Sequence, residues 1–282
     1  MRKLGLLALL FTSAPAFATA IEPGLRGLMY SRDFAMGGAY RAHGLGAEAA
    51  AGNPAALSLF PRYQVELSGA WDVVTKYAFA SVGIADSASS PEVAAGLAYH
   101  LVTLGRGETR RVAHFNTVSS AIPVSQNVLI GASGRHLLMT GAREANAITM
   151  DLGLLVRATQ SIAIGLWGHN LIDTNNPELT RYYALSAAYL GGLLTVAIDV
   201  RADFGIADVP VQMAYSGGVE YILGEAFPVR AGYSYDTIVG TQYISFGLGY
   251  MTEGGGIDVA YRHELSGDGG RMLSVTFKFQ TQ

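Results

Sequence analysis

Six histidines, at positions 43, 100, 114, 136, 169 and 263, are the residues best suited to metal or acid–base chemistry. They are scattered, with no His-Glu-x-x-His spacing and no close pair, so no metal site is expected. His169-Asn170 has no serine in a distinctive context to complete a nucleophilic arrangement. Gly44-Leu45-Gly46 and Gly254-Gly255-Gly256 do not join a strand to a helix carrying a phosphate-binding lysine, and read as a packed segment and a turn. With no cysteine, thiolate sites and disulfides are excluded. The chain is therefore read as a non-enzyme with no cofactor and no metal.

What remains are charges at alternate positions in otherwise apolar segments: Asp199 and Arg201, Arg230 and Asp236, then Asp258, Arg262 and Glu264. Facing lipid, each would cost several kcal/mol. They must face water, one another or another part of the chain. Two roles stay open, a salt-bridge network that holds the interior together or a lumenal binding surface or selectivity ring.

The elements positioning these charges have period two. Leu273, Val275, Phe277 and Phe279 alternate with Ser274, Thr276, Lys278 and Gln280, and Leu194, Val196, Ile198 and Val200 alternate with Thr195, Ala197, Asp199 and Arg201. Ile257, Val259, Tyr261 and Leu265 do the same against Asp258, Ala260, Arg262 and Glu264. Period two places each set on one face of a strand. The polar faces are mostly Gly, Ala and Ser, and the apolar faces are aromatic near strand ends, as at Phe227, Tyr233, Tyr235, Tyr250, Tyr261 and Phe279. A soluble sandwich turns its apolar face inward, whereas a membrane barrel turns it to lipid and rings both interfaces with aromatics.

Fourteen strands are expected, over 63–71, 77–86, 93–104, 111–123, 128–138, 147–157, 162–170, 182–190, 193–204, 211–223, 227–236, 241–251, 256–265 and 271–280. The facing of the second, fourth and fifth is ambiguous, which leaves twelve to sixteen strands open. The longest hydrophilic connection, 171–181, then falls on the outside together with 139–146 and 266–270. The tight turns at Gly191-Gly192, 125–127 and 159–161 fall on the periplasmic side.

Composition agrees: 282 residues, 50% hydrophobic, 15% charged, 35 Gly and 15 Tyr. No run after residue 20 is long and apolar enough for a transmembrane helix, which needs about 20 residues. Arg2 and Lys3, the apolar run Leu4 to Phe11 and small residues before Ala20 read as a cleaved Sec-type signal peptide over 1–20. Its removal leaves 17 basic residues (19 less Arg2 and Lys3) against 22 acidic ones, which excludes a nucleic-acid partner.

Between the signal and the first strand, residues 21–62 lack alternation. Met36-Gly37-Gly38-Ala39-Tyr40 and Ala49-Ala50-Ala51-Gly52-Asn53-Pro54-Ala55-Ala56-Leu57 stand out. Asn53-Pro54 is a turn starter, with Pro54 suited to the first turn of a short helix. Such a segment is expected to fold into the lumen as a plug, with Asn53, Pro54 and Ala55 as its motif and Arg26, Arg32, Asp33 and Arg41 as partners for the wall charges. The barrel then occupies 63–282. Gly134 and Pro123 mark places where the wall either kinks or merely bulges.

The Gly-Asn-Pro-Ala-Ala-Leu element ahead of a barrel resembles the FadL/PorV-like outer-membrane proteins. Gly168-His169-Asn170-Leu171 and the tail from Val229-Arg230-Ala231-Gly232-Tyr233 to Tyr261-Arg262-His263 resemble the PorV/PorQ branch. The resemblance spans nearly the whole mature chain and implies a fourteen-stranded barrel with an N-terminal plug in a Gram-negative outer membrane. It implies passage of small hydrophobic molecules through a plugged lumen. The alternative is a non-transporting barrel that docks protein partners in a trans-envelope secretion or motility complex. Expected partners are outer-membrane lipid, a hydrophobic ligand or envelope-complex proteins. The outer loops are shorter than those of typical FadL-like transporters.

Overall fold

A computed structural model of the chain describes residues 25, 28–174, 176, 178–204, 211–237, 240–266 and 269–281. The signal-peptide reading over 1–20 and the Arg26 expectation lie outside these residues, as do Asn175 and Pro177 of the long connection.

Fourteen antiparallel strands close into one barrel, β1 pairing with both β2 and β14. They are β1 (Tyr63–Asp72), β2 (Ala78–Asp86), β3 (Ala94–Leu104), β4 (Arg111–Pro123), β5 (Val128–Gly141), β6 (Ala145–Arg157) and β7 (Ile162–His169). Then follow β8 (Tyr182–Gly191), β9 (Leu194–Asp203), β10 (Gln212–Leu223), β11 (Phe227–Asp236), β12 (Thr241–Thr252), β13 (Gly255–Glu264) and β14 (Arg271–Thr281). The expected number is met. The largest boundary differences are at the β5–β6 hairpin, where the strands run on to Gly141 and from Ala145 and shorten the expected connection to 142–144.

Strand alternation sorts the side chains by solvent. Leu67, Leu97, Val118, Ile148, Leu185, Ile198, Phe246, Leu248 and Phe277 are exposed on the outer surface. Gln64, Glu66, Asp151, Asp199, Arg230 and Asp258 are buried inside. A water-facing sandwich has the reverse polarity; a lipid-facing barrel requires this one. Outward aromatics mark two levels. Tyr63, Tyr189, Tyr221, Phe227, Tyr250 and Phe279 lie near one end and Trp71, Tyr183, Tyr215, Tyr233 and Tyr261 near the other. The first end carries turns as short as 192–193 and 253–254, and the second carries the longest connection, 170–181.

Of the ambiguous strands, β2 alternates regularly, with Phe79 and Ala85 inward and Val82 and Ile84 outward, whereas β4 and β5 have mixed faces. On β4 and β5 the inward faces hold Phe115, Leu137 and Met139, while His114, Asn116 and His136 point outward. Neither Pro123 nor Gly134 opens the ladder, because Pro123 pairs with Leu129 and Gly134 with Val118 and Met150.

Candidate functional site

The N-terminal segment lies inside the barrel. It carries helix α1 (Ser31–Ala35), helix α2 (Gly46–Ala51) and a 3-10 turn over Pro54–Ser58. α1 packs on β11 to β14, α2 on β1 to β4, and the 3-10 turn on β3 to β6. Gly37 and Gly38 turn the chain sharply after α1 with φ of 67° and 86°, values that L side chains rarely adopt. The turn presses its backbone onto bare wall. A side chain at Gly218 or Gly232 would collide with the backbone at Met36 and Gly37.

Asn53, Pro54 and Ala55 form the lower corner of this segment. The Asn53 Oδ1 accepts from the Ala55 backbone N–H at 3.2 Å and its Nδ2 donates to the Leu154 carbonyl of β6 at 3.3 Å. One amide thus caps the turn and fastens it to the wall.

The charges converge on a closed ring of buried ion pairs that the sequence reading found only in part. Arg32 of α1 donates to Glu220 of β10 at 2.9 and 3.0 Å. Glu220 also accepts from Arg230 at 2.5 Å, and Arg230 donates to Asp258 at 2.5 Å. Lys278 of β14 lies 3.3 Å from Asp258 and 2.7 Å from Glu48 of α2, and Glu48 returns to Arg32 at 3.3 Å. Three cations and three anions alternate round the ring, two on the N-terminal segment and four on the wall. Each charge offsets the desolvation of its neighbours, so loss of any one strands a buried charge.

Arg41 makes a second tie. Its Nη1 donates to Asp199 at 2.8 Å and to the Gly38 carbonyl at 3.1 Å, and the same Asp199 oxygen accepts the backbone N–H groups of Tyr40 and Arg41 at 3.3 Å. Of the other expected wall charges, Arg201 bridges Asp203 and Asp236 within the wall. Arg262 lies over the rings of Phe34 and Tyr243 at 4.8 and 4.6 Å, and Glu264 accepts from the Gly270 N–H at 3.1 Å. Asp33 accepts from the Tyr30 N–H at 3.3 Å and so caps its own helix instead of meeting the wall.

Glu48, Glu220 and Lys278 were absent from the candidate charges. Glu220 and Lys278 carry the same signal as the rest, a charge between outward apolar neighbours, whereas Glu48 sits in an alanine run with no strand period. A further cluster joins Arg135, Asp151 and His169. Arg135 donates to Asp151 at 3.2 Å and His169 Nδ1 lies 2.9 Å from the same oxygen. Ser81 and His100 are 2.5 Å apart, but His100 Nε2 meets no carboxylate among the described residues, so no triad forms there.

Two apolar clusters line the lumen beside the charges. Near the short turns, Met36, Ala39, Ala42, Ala49, Ala50 and Ala55 to Leu57 pack against Ala85, Ala94, Ala121, Leu129, Leu155, Ala163, Ala188 and Ala197 of the wall. Small side chains on both surfaces make this seam tight. Near the long connections Phe34, Tyr77, Phe79, Val102, Leu104, Phe115, Leu137, Met139 and Met272 gather under Leu179. Leu179 comes from the 170–181 connection, whose Glu178 lies 3.2 Å from Arg111 and 3.6 Å from Arg143. Near the short turns the alanine seam lies on β2 to β9 and the ion-pair ring on β10, β11, β13 and β14, and the aromatic and aliphatic upper layer lies nearer the long connections.

No protein-family profile matches the chain, and no curated protein matches it either. Solved structures do. The CymD monoaromatic hydrocarbon channel superposes with a TM-score of 0.70 at 13% identity, over 90% of this chain and 97% of that one. The Ralstonia pickettii toluene transporter TbuX gives 0.68 at 15% identity, over 92% and 99%. A Pseudomonas aeruginosa FadL homologue gives 0.62 at 13% identity, over 89% and 97%. These likenesses concern the fold and leave the PorV/PorQ resemblance an expectation. In fold, the chain is a FadL-like barrel of fourteen strands with its N-terminal segment folded into the lumen.

Proposed function

We propose that the protein passes small hydrophobic molecules through a plugged lumen and resides in the bacterial outer membrane, exported by a cleaved signal peptide. The observation that carries this reading is the upper apolar layer. Its side chains come from seven strands, the N-terminal segment and two outer connections, and they face inward, where a simple aqueous pore places polar groups. The proposed division is a signal peptide over 1–20, a plug over 21–62 and a barrel over 63–282. Asn53, Pro54 and Ala55 act as the hinge corner of the plug. Asp199, Arg201, Arg230, Asp258, Arg262 and Glu264 act as lumen charges, mainly structural, that set the plug's resting position. Cargo enters between the outer loops, rests against Phe79, Phe115 and Leu137, and leaves when the seam near the short turns loosens. No residue is assigned a catalytic role.

The test is an intact mass spectrum of the protein extracted from its own membrane in mild detergent. An adduct of small mass that exchanges with added toluene supports the reading. A stoichiometric protein partner with no adduct overturns it in favour of a docking barrel for an envelope complex.

A further inference from the structure

One sector of the outer wall departs from the rest. Outward aromatics occur on β1, β3, β8 and β10 to β14, yet the four adjacent strands β4 to β7 carry none among the described residues. Among outward aliphatic side chains such as Val118, Ile130, Ile148 and Leu166 stand hydrogen-bonding and small ones: His114, Asn116 and Ser120 on β4, Ala132, Gly134 and His136 on β5, and Asn146 on β6. β4, β5 and β6 are also the longest strands, at 13, 14 and 13 residues.

Part of this polarity is satisfied internally. The Tyr99 hydroxyl lies 2.8 Å from His114 Nδ1, and His136 Nε2 lies 2.9 Å from Asn146 Oδ1. Asn116 sits between the two pairs, in register with Tyr99 on one side and His136 on the other, and Tyr99 lies five residues from either end of β3. The Asn116 amide is exposed and has no hydrogen-bond partner among the described residues. At mid-wall, lipid chains offer it none either.

We infer that this sector is an isologous interface with a second copy of the chain. Three features choose that occupant. A carboxamide is both donor and acceptor, so Asn116 pairs with its own image across a two-fold axis. The outward faces of β4 to β7 hold no Lys, Arg, Asp or Glu, so they call for no oppositely charged partner. The exposed loops above hold both signs close together, Arg106, Glu108 and Arg110 in one and Arg143 and Glu144 in the other, which is self-complementary when inverted. Four strands spaced about 4.8 Å over a band about 25 Å tall present a face of roughly 500 Å² per copy, and the loops above extend it. Flatness at Ser120, Ala132 and Gly134 lets two walls approach, and a side chain built at Gly134 would meet nothing within 4 Å of its own chain. The inference rests on the membrane-spanning reading of the barrel and is independent of cargo.

The experiment uses the full chain in lipid nanodiscs large enough for two barrels, read by native mass spectrometry. Gly134→Trp is compared with Leu248→Trp on β12, on another side of the barrel. Two copies per particle are expected for wild type and Leu248→Trp, and one for Gly134→Trp. Because the chain has no cysteine, Asn116→Cys reports by disulfide cross-linking in native membranes: a dimer band is expected there and none for Leu248→Cys. Heat-modifiable gel mobility establishes that each variant is a folded, inserted barrel. Wild type as single copies, a Gly134→Trp protein that stays paired, equal cross-linking at 116 and 248, or a different protein retained at the sector overturns the inference.

Discussion

Replacing Asp199 by Asn removes one charge and little volume from the tie between plug and wall. The amide oxygen still accepts the Tyr40 and Arg41 N–H groups that Asp199 holds at 3.3 Å, so the change isolates the ion pair with Arg41 at 2.8 Å. Stranding one partner of a buried pair costs about 3–5 kcal/mol. The low end applies here, because Arg41 keeps the Gly38 carbonyl at 3.1 Å and its place over the Tyr40 and Trp167 rings at 4.8 and 5.1 Å. About 3 kcal/mol corresponds to a roughly 100-fold rise in the population with this part of the plug released. Hydrogen exchange of the amides over 40–57 is the assay, with the strand amides as internal control. The Asp199→Asn variant is expected to exchange roughly 100-fold faster there, with the barrel unchanged. Adding Arg41→Gln removes the stranded charge, so the double variant loses about 1.5 kcal/mol less than the sum of the singles. Additive losses, or exchange that rises equally throughout the barrel, would refute the reasoning.

Other expectations follow from the same contacts. Gly232→Val drives a side chain into the Met36–Gly37 backbone, so α1 should become protease-sensitive while the barrel keeps its heat-modifiable mobility. Asn53→Ala deletes both the cap at 3.2 Å and the tie to Leu154 at 3.3 Å; about 1–2 kcal/mol of local stability is lost, read as 5- to 30-fold faster exchange over 54–58. Phe115→Ala opens the upper apolar layer at a residue 1% exposed and should lower thermal stability by about 3–5 kcal/mol while changing the size preference for bound hydrocarbons, measured by competitive adduct formation. Glu178→Gln weakens partly exposed pairs with Arg111 and Arg143 at 3.2 and 3.6 Å; stability should fall by under about 1 kcal/mol, measured by thermal melting.

The barrel was legible in the sequence because its wall separates two environments, and period two records that separation residue by residue. β9, β13 and β14 are plain for this reason. The reading blurred on β4 and β5, where Phe115, Leu137 and Met139 face inward and His114, Asn116 and His136 outward. The ambiguity there reflects mixed faces: Phe115, Leu137 and Met139 share the inside with Thr117, Ser119 and Arg135, and His114, Asn116 and His136 share the outside with Val118, Ile122 and Ile130. The charged ring was half visible. Arg230 and Asp258 announce themselves by alternation, but Glu48 sits in an alanine-rich helix, and its partner Lys278 lies 230 positions away. The upper apolar layer was not legible at all, since it joins one or two residues from each of seven strands, the plug and two outer connections.

The most direct test of the account is uptake of radiolabelled toluene by cells whose outer membrane carries this protein, compared with cells carrying a Leu137→Asn variant and cells carrying neither. Leu137 is fully buried in the upper apolar layer, so the amide alters its polarity while keeping the same branching and number of heavy atoms. Saturable uptake well above the protein-free background for wild type, reduced several-fold in the variant at equal barrel abundance, is the predicted result. Uptake at the background rate for both proteins contradicts passage of small hydrophobic molecules through this lumen.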